Sequence, residues 1–166
     1  MADRREHIYL DELDQRILAE LQANGGLSNQ ELADRVGLSP SPCSRRVKAL
    51  EDAGVIARRV ALLDKHRLGL SLTAIIQISM DRHTADRFET FEGKVRGYPE
   101  VQECLLITGS TADYLLKVVV PDMEHYQHFL LDKITRIEGV SGVQSSFVMR
   151  EVMDTTELPL GYLSAD

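Results

Sequence analysis

Three side chains that can hydrogen-bond to nucleic acid, Ser41, Arg45 and Lys48, recur at helical spacing in one short segment, with Ser39, Ser44 and Arg46 around them. At about 100° per residue, Ser41, Arg45 and Lys48 share one side of a helix. Cys43, Val47 and Leu50 share the other side. Arginine on such a face can give two parallel hydrogen bonds to a guanine edge in a DNA major groove, and serine can meet base edges or phosphate. The N-terminal half of a reading helix usually makes these contacts, which favours Ser41, Ser44 and Arg45, with Ser39, Arg46 and Lys48 completing the set. The plainer alternative is a three-helix bundle whose basic residues are only solvated. Arg58 and Arg59 follow in a β-rich run, VIARRVALL, that predicts a strand. There they either touch flanking phosphates or keep an edge strand soluble.

A second constellation is Gly109-Ser110-Thr111-Ala112-Asp113-Tyr114, where a permissive backbone, a carboxylate and a phenol meet between two predicted strands. Its simplest reading is a hairpin turn with Asp113 capping backbone donors. Nothing else converges on catalysis. No glycine-rich phosphate loop follows a strand, and no serine-nucleophile motif occurs. His125 and His128 stand three apart on a predicted helix without a third ligand beside them, so a solvated face is expected rather than a metal site. Cys43 and Cys104 lie far apart among apolar residues and are expected to be buried free thiols. No enzyme activity, metal or cofactor is expected.

Charge and patterning supply the elements that must carry these residues. The chain is acidic, at −7, yet Arg35 to Arg67 holds eight basic residues against three acidic ones and is locally +5. DNA affinity follows the local field over the contacted phosphates, so an acidic body can carry a basic head. No apolar run approaches the ~20 residues of a membrane span. The first residues are too charged for a signal peptide, so the cytoplasm is the expected compartment.

Asp11 can cap a first helix with Leu13, Ile17 and Leu21 on one stripe. Ser28 and Glu31 form the S-x-x-E signal of a second helix that Gly37 ends. Ser41 and Pro42 are read as N-cap and first residue of a third helix running to about Ala53. Helix, four-residue turn, helix with a basic outer face is the helix-turn-helix plan. Beyond a polar junction at residues 64–69, six further elements follow: a strand at 72–80, a helix from Thr84, strands at 101–108 and 114–120, a helix capped by Asp122 and a strand at 143–149. In the last helix Tyr126, Leu130, Ile134 and Ile137 face inward. This is a ferredoxin-like βαββαβ arrangement, giving an α+β protein overall. One sheet face is covered by helices. The other carries Ile75, Leu115 and Val119, too apolar for water, which predicts a homodimer.

The run LSNQELADRVGLSPSPCSRRVKALEDAGVI resembles the reading head of the leucine-responsive regulator and asparagine regulator (Lrp/AsnC) family, and TGSTADYLLKVVVPDM, SSFVMREV and TTELPL resemble its sensing domain. The resemblance runs from about Leu10 to Leu160. It implies a winged helix-turn-helix over residues 1–54, a β-strand hinge over 55–70, and an effector-binding and oligomerisation domain with its tail over 71–166. It implies a regulator of transcription that binds double-stranded DNA, pairs into dimers that assemble to tetramers or octamers, and works at the nucleoid. It also implies a small amino-acid effector held near Ile107, Thr108, Gly109, Asp113 and Tyr114, with leucine, methionine or cysteine favoured. Asp113 would face the effector's ammonium group, and backbone N–H groups near Gly109 its carboxylate. The loop here is one residue longer than the family's usual G-x-x-D-Y. Two alternatives keep the DNA-binding head: an architectural protein that wraps DNA, and an orphan regulator with no effector.

Overall fold

The computed structural model describes residues 8–109 and 111–163. It divides into two compact units: the chain up to Leu62 together with the segment from Met153 onward, and Leu63–Val152. The chain therefore crosses between units twice. The expected grouping of the tail with the sheet domain is corrected here. The tail returns to the helical unit, where Leu160 packs against its core. The Gln22 side-chain amide binds both backbone groups of Leu158, accepting its N–H at 2.7 Å and donating to its carbonyl at 3.2 Å.

The first unit holds α1 (Glu12–Ala23), α2 (Asn29–Val36) and α3 (Pro40–Asp52). Reciprocal capping boxes open α1 (Asp11 with Asp14) and α2 (Ser28 with Glu31), each satisfying two otherwise orphaned N–H groups. Gly37 ends α2 in the left-handed region at φ +73°, which a side chain adopts only with strain. The Asn29 amide donates to the Pro40 carbonyl at 2.9 Å and ties the two helix starts together. Ile17, Leu18, Leu32, Ala33, Val36, Cys43, Val47 and Leu50 are buried in the core, as expected for α2 and α3; in α1, Leu18 joins Ile17 there, Leu21 is only partly buried and Leu13 is outside the cluster.

Two expectations need correction. Helix α3 starts two residues early, with Ser39 at the N-cap and Pro40 first, so Ser41 lies inside the helix. Both Ser-Pro pairs fit that boundary, and the Cys43 N–H donates to the Ser39 carbonyl at 3.2 Å, closing the first turn from the earlier one. The run 55–63, expected to be a strand, has no ladder partner among the described residues and forms none. A strand exists only through its hydrogen-bonded neighbour, and a single chain offers this run no such neighbour.

The second unit is a four-stranded antiparallel sheet in the order β2-β3-β1-β4, from β1 (Leu72–Met80), β2 (Val101–Leu106), β3 (Tyr114–Val120) and β4 (Val140–Phe147). Helices α4 (Ala85–Val95) and α5 (Met123–His128) complete the βαββαβ order. Strict alternation puts Ala74, Ile76, Ile78 and Met80 of β1 and Tyr114, Leu116, Val118 and Val120 of β3 in the core with Phe91, Val95, Tyr126, Phe129, Ile134 and Ile137. Ile75, Leu115, Lys117 and Val119 fall on the opposite, half-buried face, as expected. The helix after Asp122 is not α-helical throughout. A π-turn over Phe129–Lys133 and a 3-10 turn over Ile134–Arg136 follow α5. Phe129, three residues after Tyr126, is buried where Leu130 was expected, and the π-turn lets Ile134, five residues further on, enter the same core. Cys104 is exposed on edge strand β2, against expectation, whereas Cys43 is buried.

The two crossings are fastened together within the sheet unit. Lys65, just after the first, meets Glu151, just before the second, at 2.6 Å, and also donates to Thr73 at 3.1 Å. Tail packing predicts that Leu160→Ala destabilises the helical unit by about 1 kcal/mol, the scale of a partly buried leucine. Hydrogen exchange should show α1 and α3 amides losing protection while β1 and β3 amides keep theirs. Equal loss in both units would refute this division.

Candidate nucleic-acid interface and effector rim

Helix α3 displays Ser41, Ser44, Arg45 and Lys48, all exposed, opposite its buried Cys43, Val47 and Leu50, with Ser39 exposed at its start. Its first turn contains no acidic residue, so the positive end of the helix dipole is not neutralised there. Arg45 makes no ion pair or hydrogen bond with any described residue, and neither does Arg58. Lys48 pairs with Asp52 at 3.2 Å and Arg59 with Glu51 at 3.1 Å. Both pairs are exposed, hold little energy and can open for a polyanion.

Arg46 differs. Its Nη1 lies 2.8 Å from a carboxylate oxygen of Asp11 and 2.8 Å from one of Asp14. Asp11 is the N-cap of α1 and Asp14 its capping-box partner, so one guanidinium binds the whole start of α1 to α3. The Asp11 carboxyl is held below its ordinary range, first by the Asp14 backbone N–H and then by Arg46. The two carboxylates push the Arg46 guanidinium higher still. Arg46, expected to face DNA, thus engages α1 through one guanidinium nitrogen while its side chain stays about one-third exposed. The sequence held the signal only as two acidic residues more than thirty positions away.

The effector constellation also divides. Asp113 closes the hairpin between β2 and β3. Its backbone N–H donates to Ile78 at 2.8 Å, and its carbonyl accepts from Ile107 at 2.9 Å. Its carboxylate accepts the Met80 N–H on Oδ2 at 2.7 Å and lies 2.8 Å from His83 Nε2 on Oδ1. Ile107 is half-buried; Thr108 and Gly109 are exposed on the same loop, with Gly109 at φ +81°. Ser110 lies outside the described residues. The Ser79 hydroxyl donates to the Thr111 carbonyl at 3.1 Å, and the Ser141 hydroxyl to the Ser79 carbonyl at 3.1 Å. Ser79, His83 and Ser141 thus join this rim without having been expected there.

Tyr114 does not join it. The ring is buried, 5.7 Å from Phe88 edge-on and 4.5 Å from Phe91, and its hydroxyl donates to Glu92 at 2.9 Å. Burial and the Glu92 carboxylate push its phenol far up from the ordinary range. That hydroxyl borders a separate hollow of about 370 Å³, also lined by Arg96, Glu103 and Cys104. The expected effector contact from the Tyr114 side chain is corrected to a core and helix-anchoring role. Strand alternation explains it: once Leu116 and Val118 face the helices, Tyr114 must as well. Among the described residues, no group of three or more histidine, cysteine, aspartate or glutamate side chains is arranged to hold a metal ion.

Residues 10–57 match the family model described as a winged helix-turn-helix DNA-binding domain, and residues 73–158 match the one described as the Lrp/AsnC ligand binding domain. The leucine-responsive regulatory proteins of Salmonella typhimurium and Escherichia coli K12 are each 44% identical over 149 residues, 90% of this chain and 90% of theirs. Among solved structures, a Neisseria meningitidis transcriptional regulator in complex with L-Met is 47% identical, with a TM-score of 0.90 over 93% of this chain and 99% of that one. An AsnC-family regulator from Agrobacterium tumefaciens is 42% identical, with a TM-score of 0.87 over 92% of this chain and 99% of that one.

The Arg46 clamp generates a pH prediction. A carboxyl whose folded pKa is depressed adds stability above its unfolded value, about 3.9 for aspartate, and loses it as pH falls through the folded value. Asp11 should therefore cost the helical unit stability below about pH 4. Arg46→Met should reduce that dependence without abolishing it, because the Asp14 N–H remains. Urea midpoints at pH 7 and pH 3, read by hydrogen exchange in α1, check this. An identical acid dependence in both proteins would refute the clamp.

Proposed function

The chain belongs to the Lrp/AsnC family of DNA-binding transcriptional regulators, and from that premise we propose that α3 reads a specific operator while a small amino acid bound at the Asp113 rim tunes assembly or DNA affinity. The chain is a regulator rather than an enzyme, as its relatives are. The observation that carries the reading-head assignment is Arg45: exposed, unpaired among the described residues, in the N-terminal half of α3, with Ser41, Ser44 and Lys48 on the same side. Ser39, at the head of the helix, Arg58 and the openable Arg59 are placed to meet flanking phosphates. The protein acts in the cytoplasm, on nucleoid DNA, as a homodimer through the open sheet face. Higher assembly to tetramers or octamers fits the same scheme.

Methionine leads leucine and cysteine as effector. The support is the Neisseria regulator, which is 47% identical and was crystallised with L-Met. Ile107, Thr108, Gly109 and Asp113 form the effector contact surface, with Tyr114 beneath it. Asp113 takes the ammonium group, and loop backbone N–H groups take the carboxylate.

The DNA assignment is tested with a site selected from a random-sequence pool, measuring affinity against salt. Arg45→Ala should cost about 1–3 kcal/mol on the selected site and relax discrimination at one base pair. Arg46→Met should weaken binding without lowering the slope of log affinity against log salt, because it releases no phosphate counterion. A slope reduced by about one for Arg46→Met would return it to the phosphate-contacting set. Undiminished discrimination in Arg45→Ala would remove α3 as the reading helix. Equal affinity for selected and random DNA would indicate architectural wrapping instead. For the effector, a thermal-shift panel of the common amino acids should show a rise with L-methionine of about 2.7 kcal/mol equivalent at a hundredfold excess over Kd. A flat panel would make this an orphan regulator.

A further inference from the structure

We infer that His83 is a displaceable placeholder for the effector's ammonium group, and so sets how strongly an amino acid must compete to enter the rim. The inference rests on Asp113 as the ammonium partner. The two carboxylate oxygens of Asp113 are not equivalent. Oδ2 accepts a strand-end backbone N–H, that of Met80, at 2.7 Å. That bond is part of the sheet's termination, and breaking it would orphan a main-chain donor. Oδ1 is the oxygen open to exchange, and the His83 imidazole lies 2.8 Å from it through Nε2. The Asp113 side chain is 18% exposed and that of His83 is 71% exposed, so the carboxylate is reached from solvent past the ring that covers it.

The ring is lightly held. It rests against Phe88 at a centroid distance of 6.2 Å, tilted by 45°, on the loop between β1 and α4. A swing about its own side-chain torsions moves the imidazole into water without disturbing α4 or the sheet. An α-amino acid presents a primary ammonium of three donors, which suits the vacated Oδ1 and adds the attraction of opposite charges. In the unliganded protein the imidazole keeps a half-buried carboxylate satisfied, which would otherwise cost stability. The same bond taxes every incoming amino acid by the free energy of displacing it. An N-acylated amino acid, lacking the cation, has nothing to offer Oδ1 in exchange and should not displace the ring.

Equilibrium titration of the full-length protein with L-methionine tests this, using N-acetyl-L-methionine as the uncharged control and comparing wild type, His83→Ala, His83→Gln and Asp113→Asn. Asparagine keeps an acceptor for the Met80 N–H, so the hairpin should remain closed. The expected result is tighter methionine binding in His83→Ala by about fivefold, the size of one net hydrogen bond. His83→Gln, whose amide can still donate to Oδ1, should stay closer to wild type. Asp113→Asn should lose binding at least tenfold, and the acetylated control should bind none of the four. In the wild type, the His83 imidazole NMR signals should shift on adding methionine. Methionine binding unchanged or weakened in His83→Ala, with Asp113→Asn still defective, overturns the placeholder and leaves the Asp113 site standing. Wild-type binding by Asp113→Asn overturns the site itself. No methionine binding by the wild type overturns both.

Discussion

The alternation of β3 is the constraint on which the sensing unit depends. Tyr114, Leu116, Val118 and Val120 must all face the helices to close the core. That fixes the phenol of Tyr114 between Phe88 and Phe91, with its hydroxyl anchored on Glu92. The residue before it therefore cannot enter the core. Asp113 is held at the strand entrance, where its main chain pairs with Ile78 and Ile107 and its carboxylate ends β1 by capping Met80. A buried tyrosine thus places a half-exposed carboxylate to within the precision of a strand register. Function on this rim needs no side chain from the core, only the pleat that the core enforces.

The reading head solves an electrostatic problem in a similar way. An acidic chain that binds DNA must neutralise some of its cations and leave others bare. Arg46 pairs with both Asp11 and Asp14 and ties α3 to the start of α1, whereas Arg35 pairs with Glu20 in an exposed bridge. Lys48 and Arg59 are paired only in exposed, weak bridges. Arg45 and Arg58 have no such partners among the described residues. Among the described residues the cations thus range from clamped to loosely paired to unpartnered, and only the latter two kinds are open to a polyanion. A count of basic residues does not draw this distinction, although it does locate the basic head.

Local signals were legible wherever the deciding partner was close in sequence. Ser28 with Glu31 marked the start of α2, Gly37 its end, and the period-two run at 72–80 gave β1. The failures share a cause. The start of α3 was misplaced because Ser39-Pro40 and Ser41-Pro42 carry the same capping chemistry. Arg46 sat on the flank of the helical wheel, and nothing nearby revealed that Asp11 and Asp14 would fold against it. Nothing in the tail's own sequence showed which core would receive Leu160. The run 55–63 is chemically a strand, yet a strand needs a partner that one chain does not supply. The π-turn at Phe129 is a one-residue insertion, too small to disturb an apolar period visibly. His83 lay in an unpatterned loop, and its relation to Asp113 exists only after the hairpin forms.

The double crossing bears on how sensing can reach DNA. An effector changes DNA affinity only if it binds one state of the protein better than another, so the states must differ at both the rim and the head. One covalent crossing would act as a swivel. Here two crossings enter the sheet unit side by side, joined by Lys65 and Glu151, with Lys117 3.8 Å from the same carboxylate. Thr73 and Lys117 belong to the sheet face that the helices leave open. At the other end, the tail is held within the helical unit, its Leu158 backbone by Gln22 and its Leu160 side chain against the three-helix core.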